Sequence, residues 1–292
     1  MHCRISEDVY KPRIQSNHKR RAILKMHFKY QEQYGLWNVI GSHTGSPELE
    51  LGLLRLRAGE IATLASESKE TVLIILGGQC TLKVEGVGYW ENLGERKDVF
   101  SGRATAIYLP CESCSHITGV QGELEIAIIQ SSTKEKGEVY IVDPEAVKVS
   151  SRGKGNWRRE VHDIIDSTRP ANKLLVGETF NELGGWSSYP PHKHDNHRPP
   201  QEAQLQEIYH FRLKPEMGFG IQRVYSPEHG LDETLTVQHG DSVFIPFGYH
   251  TVGAAAGYRL YYLWALAGKG RELHWNQDPT HAWIAEERDD NK

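Results

Sequence analysis

The chain has 292 residues, 38% of them hydrophobic and 25% charged, and a formal net charge of −4. That balance excludes a disordered or fibrous chain and provides no electrostatic footprint for nucleic acid. No run approaches the roughly 18 consecutive apolar residues that a membrane helix needs.

Residues 1–25, MHCRISEDVYKPRIQSNHKRRAILK, are basic and polar and lack the apolar stretch of a secretory signal. They are expected to be a flexible extension, or to lie upstream of the true start, and the protein is expected to be cytoplasmic. From Met26 onward the chain breaks into short apolar runs bounded by Gly, Pro or Asp. The first set is LELGLLRL (49–56), ETVLIILGG (70–78), CTLKVEG (80–86), TAIYLP (105–110) and ELEIAIIQ (123–130). A polar segment, 136–172, reads as a connection; DPEAVK within it and the tail around 278–287 are the only candidates for helix. The second set is KLLVGETF (173–180), EIYHFRL (207–213), GFGIQRVY (218–225), DSVFIP (241–246) and YRLYYLWAL (258–266). Runs this short, rich in Val, Ile, Leu, Tyr and Phe, predict an all-β sandwich or barrel.

The two sets repeat. Glu70 aligns with Glu207 at an offset of 137 positions, and Pro110 with Pro246 at 136. Two motifs at nearly one offset indicate a duplicated β domain. The expected division is an N-terminal copy over 26–135, the connection over 136–172, and a C-terminal copy with its tail over 173–292.

Four potential metal ligands fall in the second copy. His192 and His194 alternate in WSSYPPHKHD, so on an extended chain both point to one side and Lys193 to the other. Glu207 opens a strand, and His250 follows GDSVFIPFGY. Each alone is more simply a surface or turn residue. In this order they make three imidazoles and one carboxylate able to converge in a barrel mouth, a set suited to one first-row divalent ion, zinc or manganese first. Glu202 is nearer to His194 but lies in a proline-containing loop, so Glu207 is preferred. In the first copy Glu70 and His116 occupy the matching places without a His-x-His, and that copy is expected to bind no metal. Cys111 and Cys114 have CxxC spacing, but no second pair exists for a zinc site and no helix start is evident for a redox pair.

The residues resemble a known family at this point. Gly185-WSSYPP-His192-Lys-His194, Glu207, and Gly240-DSVFI-Pro246-Phe-Gly248-Tyr-His250 are similar to the two cupin motifs. WSSYPPHKHD, LQEIYHFR, GFGIQRVY, FGYHTV, GYRLYYLWALAG, DPTHAWI and RGKGNWRREV resemble the bicupin 5-deoxy-glucuronate isomerases of myo-inositol catabolism. The likeness is dense over about 150–284 and thinner before, where GERKDVF and AIYLP are the anchors. One departure is Gln206, where the family usually has Glu. The resemblance implies two tandem double-stranded β-helix barrels and an aldose–ketose isomerase converting 5-deoxy-D-glucuronate to 5-dehydro-2-deoxy-D-gluconate. A related bicupin family acting on a pectin-derived uronate is the near alternative. A cupin Fe(II) oxygenase and a non-enzymatic sugar-binding bicupin are the others.

Such a reaction needs a proton taken from C2 and returned to C1. Lys193, Tyr225 and Tyr249 are the preferred candidates, with His210 and Tyr261 behind them. Arg223 is the candidate cation for the uronate carboxylate, with Gln222 beside it, because a guanidinium grips a carboxylate bidentately. Asp195 and Asp241 are candidates to orient a ligand imidazole. Trp186, Tyr261 and Tyr262 are aromatic enough to stack on a sugar but more often pack a core. The expected partners are a small uronic acid and, through edge strands, further copies of the chain.

Overall fold

The short apolar runs become antiparallel strands that close into two barrels lying side by side, the bicupin arrangement. The computed structural model describes residues 25–286, so the expected extension over 1–25 lies outside them but for Lys25. The first barrel is one sheet in the order Gly35–Ile40, Glu50–Arg57, Cys114–Ser132, Lys69–Val84, Ala106–Leu109 and Tyr140–Val142, with Ile61–Ala65 and Gly88–Leu93 paired to its two long strands. Lys69–Val84 is long enough to serve both walls because it bends at Gly77 and Gly78, where the register shifts. Gly78 has φ +87°, and a Cβ there would stand 2.2 Å from the Glu123 carbonyl oxygen, so only glycine fits.

The second barrel has two walls. One is the sequence of strands His27–Phe28, Ser242–Ile245, Glu202–Lys214, Arg259–Lys269, Leu175–Asn181, Arg159–Ile165 and Lys148–Arg152, with Asp195–Arg198 paired at the side. The other is Leu231–Gln238, Phe219–Ser226, Tyr249–Ala254, Trp186–Lys193 and Asn276–Gln277.

Side-chain alternation creates three cores from these walls. In Glu202–Lys214 the odd residues Leu205, Tyr209, Phe211 and Leu213 fill the second barrel. The even Ile208 turns the other way and packs with Val72, Ile74, Tyr108 and Phe244 between the barrels. Leu73, Ile75, Ile107 and Ile117 fill the first barrel. Burying one such side chain contributes about 1.5–3 kcal/mol. A buried ion pair crosses the interface: Arg96 of the first barrel meets Glu178 of the second at 3.0 and 2.6 Å.

Two segments cross the expected boundaries. Residues 26–30 belong with the second barrel: His27 and Phe28 pair with Val243 and Ser242, and the Asp241 carboxylate accepts from Tyr30 N, Lys29 and His27. The expected connection over 136–172 is not a bare linker. Tyr140–Val142 joins the first barrel, and Lys148–Arg152 and Arg159–Ile165 extend the second. DPEAVK is a single 3-10 turn, Pro144–Ala146, and the tail carries the short helix Trp283–Glu286. Among the described residues no helix is long and apolar enough to cross a membrane.

Candidate metal centre

His192 sits directly opposite His250 in the register of their strands, and His194 lies one pleat beyond His192. The period of two therefore aims all three imidazoles into the second barrel, where one ring nitrogen from each lies within 4.8 Å of the others. Glu207 enters from the facing wall. Its Oε2 stands 3.1 Å from His194 Nε2 and 3.0 Å from His250 Nε2. Backbone carbonyls orient the rings: His194 Nδ1 contacts the Leu205 oxygen at 3.0 Å, and His250 Nδ1 the Gly248 oxygen at 3.2 Å. Both rings thereby turn Nε2 inward, toward the Glu207 carboxylate.

The electrostatics fit a cation. Burial works against a charged Glu207, yet His194 and His250 outweigh it and hold the carboxyl at about 2. Burial, helped by the neighbouring imidazoles of His250 and His194, pushes His192 well below its ordinary pKa, which favours the neutral, ligating form. His250 Nε2 is buried and makes no hydrogen bond; its approach to Glu207 is an ionic contact only. A buried ring nitrogen without a partner, next to two more imidazoles and a carboxylate, is the donor set of a divalent transition metal.

The centre opens into a cavity of about 270 Å³ walled by Ser188, Tyr209, Tyr262, Arg159 and Trp275. Ser188 Oγ lies 2.7 Å from the Tyr209 hydroxyl and 3.4 Å from that of Tyr262. One wall is a strap from beyond the last barrel strand. Asn276 and Gln277 pair with Lys193 and His192, and the Trp275 ring is 5.8 Å from that of His192. A larger cleft, about 520 Å³, lies between the barrels around Tyr30, Lys97 and Arg212, away from the imidazoles.

The structure places the other expected site residues elsewhere, most of them on the opposite pleat. Lys193 points out of the barrel, 2.6 Å from Asp195, with its ammonium over the Tyr249 ring. Tyr249 stacks beside Tyr225, whose hydroxyl donates to Asp278. Arg223 does share a face with Tyr225, but it is the outer face, where Asp232 holds it through two 2.8 Å bonds. His210 and Tyr261 turn to the interface, bonded to Ser242 and Glu178. Gln222 faces the barrel interior, fully buried with neither amide atom paired, but does not line the cavity. Asp195 accepts from Gly248 N and steadies the turn before His250 without touching an imidazole. Asp241 holds the N-terminal strand and its own turn. Glu202 is a loop clamp, accepting from Asp195 N, Asn196 N and Arg198.

The expected match of Glu70 to Glu207 is corrected by register. Ile245, just before Pro246, pairs with Glu207; Leu109, just before Pro110, pairs with Thr71. Thr71 is thus the counterpart, and Glu70 lies on the opposite face. There its carboxylate accepts from the backbone N–H groups of Asn172, Lys173 and Leu174 and from Tyr108. His116 points outward between the buried Ser115 and Ile117, bonded to Glu85 and Thr63. With Cys114 it forms an outer-face grouping of donors. Cys111 and Cys114 are free thiols.

The family model for the KduI/IolB family matches residues 24–284. The 5-deoxy-glucuronate isomerase of Halalkalibacterium halodurans is 39% identical over 235 residues, covering 80% of this chain and 86% of the relative. That of Bacillus subtilis (strain 168) is 35% identical over 250 residues, covering 85% and 92%. An IolB-like protein from Salmonella typhimurium superposes with a TM-score of 0.86 at 33% identity, covering 89% of this chain and 99% of that one. A Bacillus subtilis oxalate decarboxylase, with TM-score 0.61 at 14% identity, covering 88% and 80%, shares the fold. Matched along nearly all its described length, the chain belongs to the KduI/IolB family.

Proposed function

We propose that this protein is an aldose–ketose isomerase that converts 5-deoxy-D-glucuronate to 5-dehydro-2-deoxy-D-gluconate. The observation that carries the reading is the convergence of His192, His194, Glu207 and His250 at one end of a cavity in the second barrel. The relatives' name supplies the substrate.

The four residues would hold one divalent ion, zinc or manganese, whose Lewis acidity stabilises negative charge as it develops on the sugar oxygens. The rest falls to the chain's own groups. Glu207, ionised and shared between two imidazoles, holds the ligand set together and is not free to be the base. Tyr209 takes the place of the acid–base candidates found on the outer pleat. Burial first, and then Glu207, push its hydroxyl well above the ordinary tyrosine pKa, so it keeps its proton at neutral pH. From its 2.7 Å contact with Ser188, the hydroxyl is placed to donate to a substrate oxygen and recover a proton along the Ser188–Tyr262 chain. Trp275 and the strap form the cavity wall beside His192.

Metal-loaded protein, incubated without oxygen with 5-deoxy-D-glucuronate in deuterium oxide, should exchange the C2 proton and yield the ketose. His192→Ala should abolish metal binding and exchange together. An absolute requirement for oxygen, or full exchange in the variant, refutes the proposal.

A further inference from the structure

Arg159 is the cation of the metal cavity that lacks an anion. It opens the strand Arg159–Ile165 on the same pleat as Val161, whose side chain lies in the second-barrel core, and both line the cavity with His192, His194 and Glu207. The guanidinium meets only two carbonyl oxygens, Trp157 O at 3.3 Å and Tyr189 O at 3.4 Å, and the face of the Trp157 ring at 5.6 Å. Among the described residues it has no carboxylate partner. The other cavity arginine, Arg152, is paired with Asp163 at 3.2 Å, and the adjacent Arg158 with Glu182 at 2.7 Å.

The position is built. A Cβ at Gly153 would stand 2.8 Å from Arg159 Nη1 and 2.3 Å from Trp157 O, so the glycine makes room for the guanidinium and the carbonyl that holds it. Burial depresses the Arg159 pKa, and its charge bears on His192. A half-buried guanidinium remains charged, and leaving it without a counter-ion costs free energy that a ligand anion can recover. Two weak carbonyl contacts leave most of its five donors free for the planar, two-pronged grip that suits a carboxylate.

We infer that Arg159 binds the substrate carboxylate and selects uronic acids over neutral sugars. This rests on the isomerase reading for the identity of the sugar, and assigns to Arg159 the task that the paired, outward Arg223 cannot perform.

The test is calorimetric titration of the metal-loaded full-length protein with D-glucuronate and with D-glucose, alongside the deuterium-exchange assay. Wild type should bind the uronate at least tenfold more tightly than glucose. Arg159→Gln should raise the uronate Kd at least tenfold and erase that preference, with metal content unchanged. Arg159→Lys should recover part of it, and Arg158→Gln should bind like wild type. Uronate binding within twofold of wild type in Arg159→Gln overturns the inference, as does a wild type that shows no preference for the uronate. A wild type that binds the uronate through Arg159 but exchanges no proton refutes the isomerase reading and leaves the assignment of Arg159 supported.

Discussion

Arg96 and Glu178 form an ion pair with side chains 1% and 0% exposed, sealed between the barrels directly behind Thr179 of the cavity wall. Arg96→Met leaves the Glu178 carboxylate buried, with the Tyr261 hydroxyl at 2.7 Å and His162 Nδ1 at 3.9 Å as its nearest remaining partners. Removing one partner of such a pair costs about 3–5 kcal/mol, because the other charge stays behind without water. Replacing both is different. Both variants take a donor from the Ile75 and Gly102 carbonyls; beyond that, Arg96→Met with Glu178→Leu removes the stranded charge and leaves the Tyr261 hydroxyl short of an acceptor, a deficit of about 1–3 kcal/mol. The double variant should therefore be more stable than the single one, the reverse of additivity. Urea unfolding of metal-loaded protein, followed by tryptophan fluorescence, measures all three differences. A single variant within about 1 kcal/mol of wild type, or a double variant less stable than the single, would refute the argument that the charges are sealed from water.

Three further outcomes follow from the same geometry. Arg223→Ala should leave kcat/KM within about twofold and stability within about 1 kcal/mol, since it breaks an exposed pair with Asp232 and a surface contact with the Tyr225 ring; a large rise in KM would return Arg223 to the site. Tyr209→Phe should lower kcat by about 10²–10⁴-fold with metal content intact, the range for loss of a general acid; unchanged kcat rules the hydroxyl out. Burial opposes the charge on Glu202, but Arg198 and the Asp195 and Asn196 N–H groups outweigh it and bring its pKa from 4.5 to about 2. A depressed carboxyl contributes stability above its unfolded pKa and loses it as pH falls. The difference in melting temperature between wild type and Glu202→Gln should thus be constant above about pH 5 and close toward pH 2; a gap that widens on acidification contradicts this.

The ligand set was legible because alternation survives without knowledge of the fold. His192 and His194 share a pleat in any extended strand, and Glu207 and His250 bracket strands with clear apolar runs. Alternation also sets Lys193 opposite its neighbours, and the structure turns its ammonium out of the barrel toward Asp195. What alternation leaves open is which of two faces is the inside. Gln222 and Arg223 could be told apart only once Val224 was seen in the core beside His250. The repeat failed by a single residue for a related reason: both faces of Lys69–Val84 are buried, one in the barrel and one at the interface, so apolar pattern does not fix its register. Arg159 was missed because RGKGNWRREV is too polar to signal a strand, and its pairing with Leu175–Asn181 is long-range.

The two barrels divide the work through that same strand chemistry. Where the second barrel has Glu207, the first has Thr71, bonded to Ser66 and Gln130 and walled by Leu73 and Leu109. Among the described residues its interior is packed by apolar side chains such as Leu73, Ile75, Ile107 and Ile117. Its outward residues Val72, Ile74 and Tyr108 instead cover Ile208 and Phe244, the back side of the strands that carry Glu207 and lead to His250. Glu70 reaches across to fix the chain at Asn172–Leu174, just before the strand Leu175–Asn181 of the second barrel. The strand that carries Glu207 is therefore buried on both faces, while His192 and His250 stand on the opposite wall, on Trp186–Lys193 and Tyr249–Ala254. Close packing behind the Glu207 strand fixes the direction of that carboxylate, which is how the filled first barrel supports the site in the second.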